Sequence, residues 1–292
     1  MLKFALSLFI ASLLTFSTAY PQLPDRVAFG KKKRALEQVP LSAFQLDPEL
    51  GKDLKMEVWA ESPLLFSPVA MDVGPQGRIW LTEGIDYNQR RRVANGQSIM
   101  VLSDSDGDGK ADKREVIFTG FGTGDTHQNI NSFAWSPGGE LFFSQGLHCF
   151  SRVQTPWGIR KLDEHGSWRL RPLRRQLHAH RRTSGGGNPW GFAFGNWGEP
   201  FIKSNGPGVS ELLPGMVSSE HIIGGYWGGA VQIGATKIKS MIIEVVDTPV
   251  LPKDFQGDFL IAGYYAGNIA RLRPTVDGAG HKLQTLAPIL TS

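Results

Sequence analysis

The chain has 292 residues, 41% of them hydrophobic, enough for one large core or two small ones. Its net charge of +4 gathers in "KKKR" at Lys31 to Arg34, "RRR" at Arg90 to Arg92 and an Arg- and His-rich run from Trp168 to Arg182. The arginine runs lack the interleaved aromatics that would stack bases, so they read as solvated surface and nucleic acid is excluded as a partner. The single cysteine, Cys149, excludes an internal disulfide and the C-x-x-C-H motif of covalent haem.

Along the chain, residues 1–19 carry Lys3, an apolar stretch from Phe4 to Phe16 and the small residues Ser17-Thr18-Ala19. That pattern is a secretory signal peptide and implies export, to a periplasm, the cell surface or the medium. The apolar stretch falls short of the ~20 residues a bilayer-spanning helix needs, and no later segment is long enough, so no transmembrane segment is expected after signal removal. Residues 20–43, which include "KKKR", read as a mobile leader, and residues 44–292 as the folded domain.

Thirty-five glycines, eight tryptophans and seventeen phenylalanines, with few long helical patterns, point to an all-β chain of short strands and tight turns. Four segments share one form, an apolar strand, a small turn, a glycine and a stronger apolar strand: "VAMDVGPQGRIWLTEG", "INSFAWSPGGELFFSQG", "PWGFAFGNWGEPFIKSNG" and "MIIEVVDTPVLPKDFQGDFLIAGYY". Their turn glycines, Gly77, Gly139, Gly198 and Gly257, are 62, 59 and 59 residues apart. A repeat near 60 residues fits a four-stranded β-propeller blade plus one sizeable loop, about four blades in all, with Trp80, Trp135, Phe142, Phe194 and Phe201 packing blade on blade. Four blades leave strand edges unpaired, so the expectation is a partial propeller, C-terminally incomplete and cut from a larger ring.

Between two strand-like runs of the first repeat lies "DSDGDGKADKRE", which matches the calcium pattern D-x-D-x-D-G-x₅-E. Asp104, Asp106 and Asp108, the Lys110 carbonyl and Asp112 would supply oxygens, and Gly109 the sharp turn. Glu115 takes the bidentate position but begins a strand and is as ready to point outward. Calcium would order the loop structurally; the other reading is a solvated acidic turn. His178 and His180 share a strand face and could join His221 at zinc, but nothing fixes a third ligand's place. "GGG" at Gly185 to Gly187 lacks the lysine and helix of a phosphate loop. Cys149 reads as a buried small hydrophobe.

At the starts of the repeats, near the axis of a propeller, stand His127, Glu83 with Asp86 and Tyr87, Asn188 and Glu244, while Asn129 and Asn131 alternate with Ile130. Two readings stay open. These residues form a polar tunnel mouth for a hydroxylated ligand, or they tie adjacent blades together by hydrogen bonds.

Five segments, "GRIWLTEGIDY", "DSDGDGKADKREVIF", "DTHQNINSFAWSPGGELFFSQGLH", "NPWGFAFGNWGEPFIKSN" and "GDFLIAGYYAGNI", resemble in this order the N-terminal propeller of the large exported planctomycete-type membrane-bound dehydrogenases, over Leu54 to Leu286. The resemblance implies a c-type cytochrome as partner, on a separate chain or on further C-terminal domains. More distantly, "H-x-x-x-N-S-F-x-W-S-P-G-G-E-L-F" is similar to soluble quinoprotein glucose and sorbosone dehydrogenases, although Gly138 stands where an aspartate is common there. That likeness implies pyrroloquinoline quinone as cofactor and His127 as the base that takes the hydroxyl proton of a sugar or related alcohol while hydride leaves the same carbon. A structural, hydrogen-bonded His127 is the other reading. The alternative function is a non-catalytic calcium-stabilised propeller that binds a glycan or a protein partner.

Overall fold

A computed structural model describes residues 41–43, 55–61, 64–65, 68–84, 96–124, 128–181, 187–204, 206–212, 230–237, 239–263 and 265–291. The signal peptide, most of the leader, Asp86, Tyr87, His127 and His221 lie outside the described residues.

Among those residues there is no α-helix, and the strands fall into successive sheets. Strands β1 (Pro68–Val73), β2 (Ile79–Glu83), β3 (Gln97–Ser103) and β4 (Lys113–Phe121) pair in that order. The second sheet holds β5 (Asn131–Trp135) and β6 (Leu141–Gln145), then a separate hairpin of β7 (Phe150–Thr155) and β8 (Gly158–Asp163), then β9 (Gly166–Arg171) and β10 (Gln176–Arg181). Its order is β10-β9-β6-β5, so the hairpin is an insertion between the second and third strands. Strands β11 (Pro189–Phe194), β12 (Pro200–Ser204), β13 (Gly208–Leu212) and β14 (Ala230–Ala235) form the third sheet in sequence order. The fourth runs β15 (Met241–Val245), β16 (Phe259–Gly263), β17 (Asn268–Asp277) and β18 (Gly280–Thr285), with β19 (Leu290–Thr291) on β17. Successive four-stranded sheets of this kind, each packed on the next, are the blades of a β-propeller.

Turn chemistry explains why the repeat is regular. The glycines at the turn between the first two strands of each blade, Gly77, Gly139, Gly198 and Gly257, have φ of 69°, 75°, 84° and 81°, a region where a Cβ is strained. The same ladder bond closes each turn, Gly74 N to Arg78 O at 2.8 Å, Ser136 N to Glu140 O at 2.9 Å, Gly195 N to Glu199 O at 2.8 Å and Val246 N to Asp258 O at 2.9 Å. These bonds put the four described sheets in one register despite the longer 246–258 connection.

Blades pack through the aromatics. Trp80 meets Trp135 edge-on at 5.5 Å, Phe142 meets Phe194 at 4.9 Å, and Phe201 meets Phe259 at 4.7 Å. Each such pair adds roughly 0.5–1.5 kcal/mol beyond its burial. Among the described residues the buried clusters include one of Ile99, Phe121, Phe143 and Trp168, one of Val209, Ile243, Ile261 and Leu272, and one of Phe142, Phe192, Ile202 and Leu212. Cys149 is buried, its thiol 3.3 Å from the Gln128 carbonyl, in keeping with a small core residue.

By contacts the chain divides into two compact units, Met1–Pro68 with Leu102–Glu115, and Val69–Val101 with Val116–Ser292. In the smaller unit, Ala111 N donates to Trp59 O at 2.8 Å, and a cleft of about 470 Å³ lies among Trp59, Leu64, Lys110 and Asp112. Among the described residues no helix is long and apolar enough to cross a membrane.

Candidate functional site

The acidic loop joins β3 to β4 without helices. Asp104, Asp106 and Asp108 each present a carboxylate oxygen within 4.8 Å of the others, the one grouping of metal-capable side chains among the described residues. Backbone N–H groups already organise it. Gly107 and Gly109 donate to Asp104 at 2.6 and 2.9 Å, and Lys110 donates to Asp108 at 2.8 Å. The Gly109 and then the Gly107 bond hold the Asp104 carboxyl below its usual range, so it stays anionic. Asp112 is turned to Ser105, whose hydroxyl donates to it at 2.6 Å and lowers its pKa in the same way. Glu115 lies within β4, engaged in a contact of its own. Thus three of the six expected ligands converge, and three hard carboxylate donors suit an oxygen-seeking cation such as calcium.

The repeat-start residues are placed by the ladder register. Glu83 ends β2 at the position that Gln145 holds in β6; it is 3% exposed and engaged. Gln145 shows what that position does, donating to the carbonyls of Cys149 at 2.9 Å and Glu164 at 2.8 Å and so anchoring the inserted hairpin. Asn129 and Asn131 sit at the start of β5, where Asn131 Nδ2 donates to Asn129 O at 2.8 Å and Ser132 Oγ donates to Asn131 Oδ1 at 2.6 Å. Gln97 clamps the peptide between them, accepting from Ile130 N at 2.9 Å.

Glu244 is not level with Glu83. It lies two residues before the turn-closing Val246, as Asp72 lies before Gly74, Ala134 before Ser136 and Ala193 before Gly195. The long 246–258 connection delays Gly257, which is why counting from the glycine alone sets Glu244 too near the strand start. Glu244 and Asp72 are a carboxylate pair. Desolvation raises both pKa values, and the Asp72 charge raises Glu244 further.

One cluster contains Asn188 of the expected residues, with neighbours the sequence did not single out. On β12, Phe201 and Lys203 share a face, and Lys203 is fully buried at 0% exposed. Its ammonium donates to Ser204 O at 2.7 Å and to Gly206 O, and desolvation lowers its pKa to about 8. Thr236 N donates to Pro207 O at 2.9 Å, and Thr236 Oγ1 and Ser240 Oγ are 2.7 Å apart, which joins the β12–β13 turn to the β14–β15 connection. From that connection Lys239 reaches over the Trp190 ring at 4.9 Å and the Tyr265 ring at 5.8 Å. Asn188 accepts from the Trp190 indole N–H at 2.6 Å, so this expected site residue orients the aromatic face. Among the described residues no carboxylate ion-pairs with Lys203 or Lys239. Lys239, with no ion-paired carboxylate among the described residues, lies over two aromatic faces and makes a place for a flat anion. The sequence signal for it was a lysine on the apolar period of "PFIKS".

Comparison with known proteins is sparse in sequence. A family model described as "Domain of unknown function (DUF7133)" matches residues 91–225. None of the curated proteins matches the chain. Solved structures with a related fold include the apo form of the soluble aldose sugar dehydrogenase of Escherichia coli, at 15% identity over 73% of this chain and 68% of that one, TM-score 0.44. The PQQ-bound aldose sugar dehydrogenase of Streptomyces coelicolor is 13% identical over 76% of this chain and 81% of that one, TM-score 0.39. Virginiamycin B lyase of Staphylococcus aureus is 11% identical over 75% and 69%, TM-score 0.40.

Proposed function

We propose that the chain is the propeller of an exported quinoprotein-type dehydrogenase that oxidises sugars or related alcohols. The observation that carries this reading is the Lys239 cluster. A planar quinone bearing carboxylates fits the Trp190 and Tyr265 faces and Lys239, which has no ion-pair partner among the described residues. Bound there, pyrroloquinoline quinone would supply a two-electron acceptor. The chain's own part is to hold a carboxylate with Lys239 and to fix the Trp190 face through Asn188. His127, outside the described residues, remains the proposed acceptor of the substrate's hydroxyl proton; a c-type cytochrome would take the electrons onward. We propose further that Asp104, Asp106 and Asp108 hold a structural calcium ion.

Calorimetric titration of the signal-free chain with pyrroloquinoline quinone tests the reading. Micromolar binding, weakened roughly tenfold in Lys239→Ala and followed by dye reduction with sugars that fails in His127→Ala, supports it. A folded chain that takes up no quinone overturns it. For the ion, calcium should raise the unfolding midpoint by several degrees and chelation should reverse the rise; a midpoint indifferent to both removes calcium.

A second reading, a non-catalytic binding module, is favoured by the Glu244 position. Glu244 lies level with Asp72, roughly 10 Å along the strand direction from the level of Glu83, so these carboxylates do not share one cavity mouth.

A further inference from the structure

We infer that the groove between the β11–β12 turn and the β15–β16 connection is a binding site for a neutral, glucose-type pyranose ring of a glycan. The inference holds under either reading of the protein's function, because it uses none of the residues of the Lys239 cluster.

The groove measures about 240 Å³, room for one sugar ring, with Phe201 and Phe259 as its floor. At its rim stands Trp197, 91% exposed, the most exposed aromatic side chain among the described residues. Its ring offers an apolar face to any ligand seated in the groove, and covering that face is favourable. The turn that carries it is rigid. Trp197 N donates to Glu199 Oε2 at 3.0 Å, and Gly198 N donates to Gly195 O at 2.9 Å. A platform ordered in advance loses little entropy when a ligand stacks on it.

The lining chooses the ligand. A pyranose whose hydroxyls are equatorial shows a flat C–H face, which an indole covers, and a rim of vicinal hydroxyls, which carboxamides bind through paired donor and acceptor. Asn196 supplies such a carboxamide, and Gln256 an acceptor oxygen. Gln256 Nε2 is spent on the Thr248 and Leu251 carbonyls at 2.9 and 3.0 Å, which fixes the group and leaves its oxygen to accept. Asn196 Nδ2 lies 3.6 Å from where a Cβ on Gly257 would stand, so it spans the two turns.

Charge argues for a neutral sugar. Asp258 is taken by Arg271 at 2.5 Å and by Arg273 at 2.7 Å, Glu211 faces His281 at 3.0 Å, and Glu199 accepts from the turn. Among the described lining residues the one guanidinium, Arg273, is bonded to Asp258 and accompanied by Glu199, so the lining carries no excess of positive charge to select a uronic acid.

The test is titration of the calcium-loaded chain with cellotetraose, followed by calorimetry, with tetragalacturonate as the anionic comparison. Expected are saturable millimolar binding of cellotetraose, at least fivefold weaker binding in Trp197→Ala and in Asn196→Ala, and unchanged unfolding midpoints in both. Lack of any saturable signal in the native chain, equal affinity in Trp197→Ala, or preference for tetragalacturonate overturns the site. Quinone titration of the same Trp197→Ala sample should be native-like; if both ligands fail together in a folded sample, the groove is not a separate site and the inference falls.

Discussion

Two buried charges, one blade apart, are handled in opposite ways. Asp258, 1% exposed, sits against Arg271 Nε at 2.5 Å and Arg273 Nε at 2.7 Å, and Arg271 in turn lies over the Phe255 ring at 3.5 Å. Lys203, equally buried, has among the described residues the carbonyls of Ser204 and Gly206. Two guanidiniums replace the water around the carboxylate, whereas carbonyl dipoles leave part of the Lys203 ammonium's solvation unreplaced. Its pKa accordingly falls to about 8. A charge with full partners belongs to the scaffold; one held short of them is where an anionic ligand gains most.

The widest separation of the two should come from Asp258→Ala, which strands Arg271 and Arg273 and should cost about 3 kcal/mol in urea denaturation. A loss below about 1 kcal/mol would mean that the pair contributes little. Next is the pH dependence of Lys203. Its folded pKa, about 8, lies below the ordinary 10.5, so between these values the unfolded chain binds more protons and stability rises with pH. After discounting for nearby solvent, the rise attributable to Lys203 is on the order of 1–2 kcal/mol from pH 8 to pH 10. The difference between native and Lys203→Met denaturation curves should show it, and identical pH slopes would refute an uncompensated ammonium. Arg273→Gln should cost clearly less than Asp258→Ala in the same assay, because the side chain is 38% exposed and Arg271 still faces Asp258. Smallest of all is Trp197→Ala, expected within about 0.5 kcal/mol in the same assay because its ring packs on little.

Much of the fold was readable because it rests on local chemistry repeated four times. A glycine in the left-handed region, flanked by apolar alternation, can be found by eye, and Gly77, Gly139, Gly198 and Gly257 each make the expected turn. The aromatics named from that pattern meet their partners across blades. The acidic loop was equally legible, since its grouped oxygens lie close in the chain. Glu244 was not, because the extra residues of the 246–258 connection shift the strand relative to its glycine, and only the ladder bond from Val246 to Asp258 restores the register.

By itself the sequence determined the all-β class, the repeat, the turn glycines and the spacing of Asp104, Asp106 and Asp108, all properties of neighbours along the chain. Tertiary structure alone decided that Lys203 would be buried on two carbonyls, that Asn188 would hold Trp190 under Lys239, and that Trp197 would border a groove with Gln256. Those groups come from strands and turns far apart in sequence, and burial, charge compensation and concavity exist only once the blades have packed.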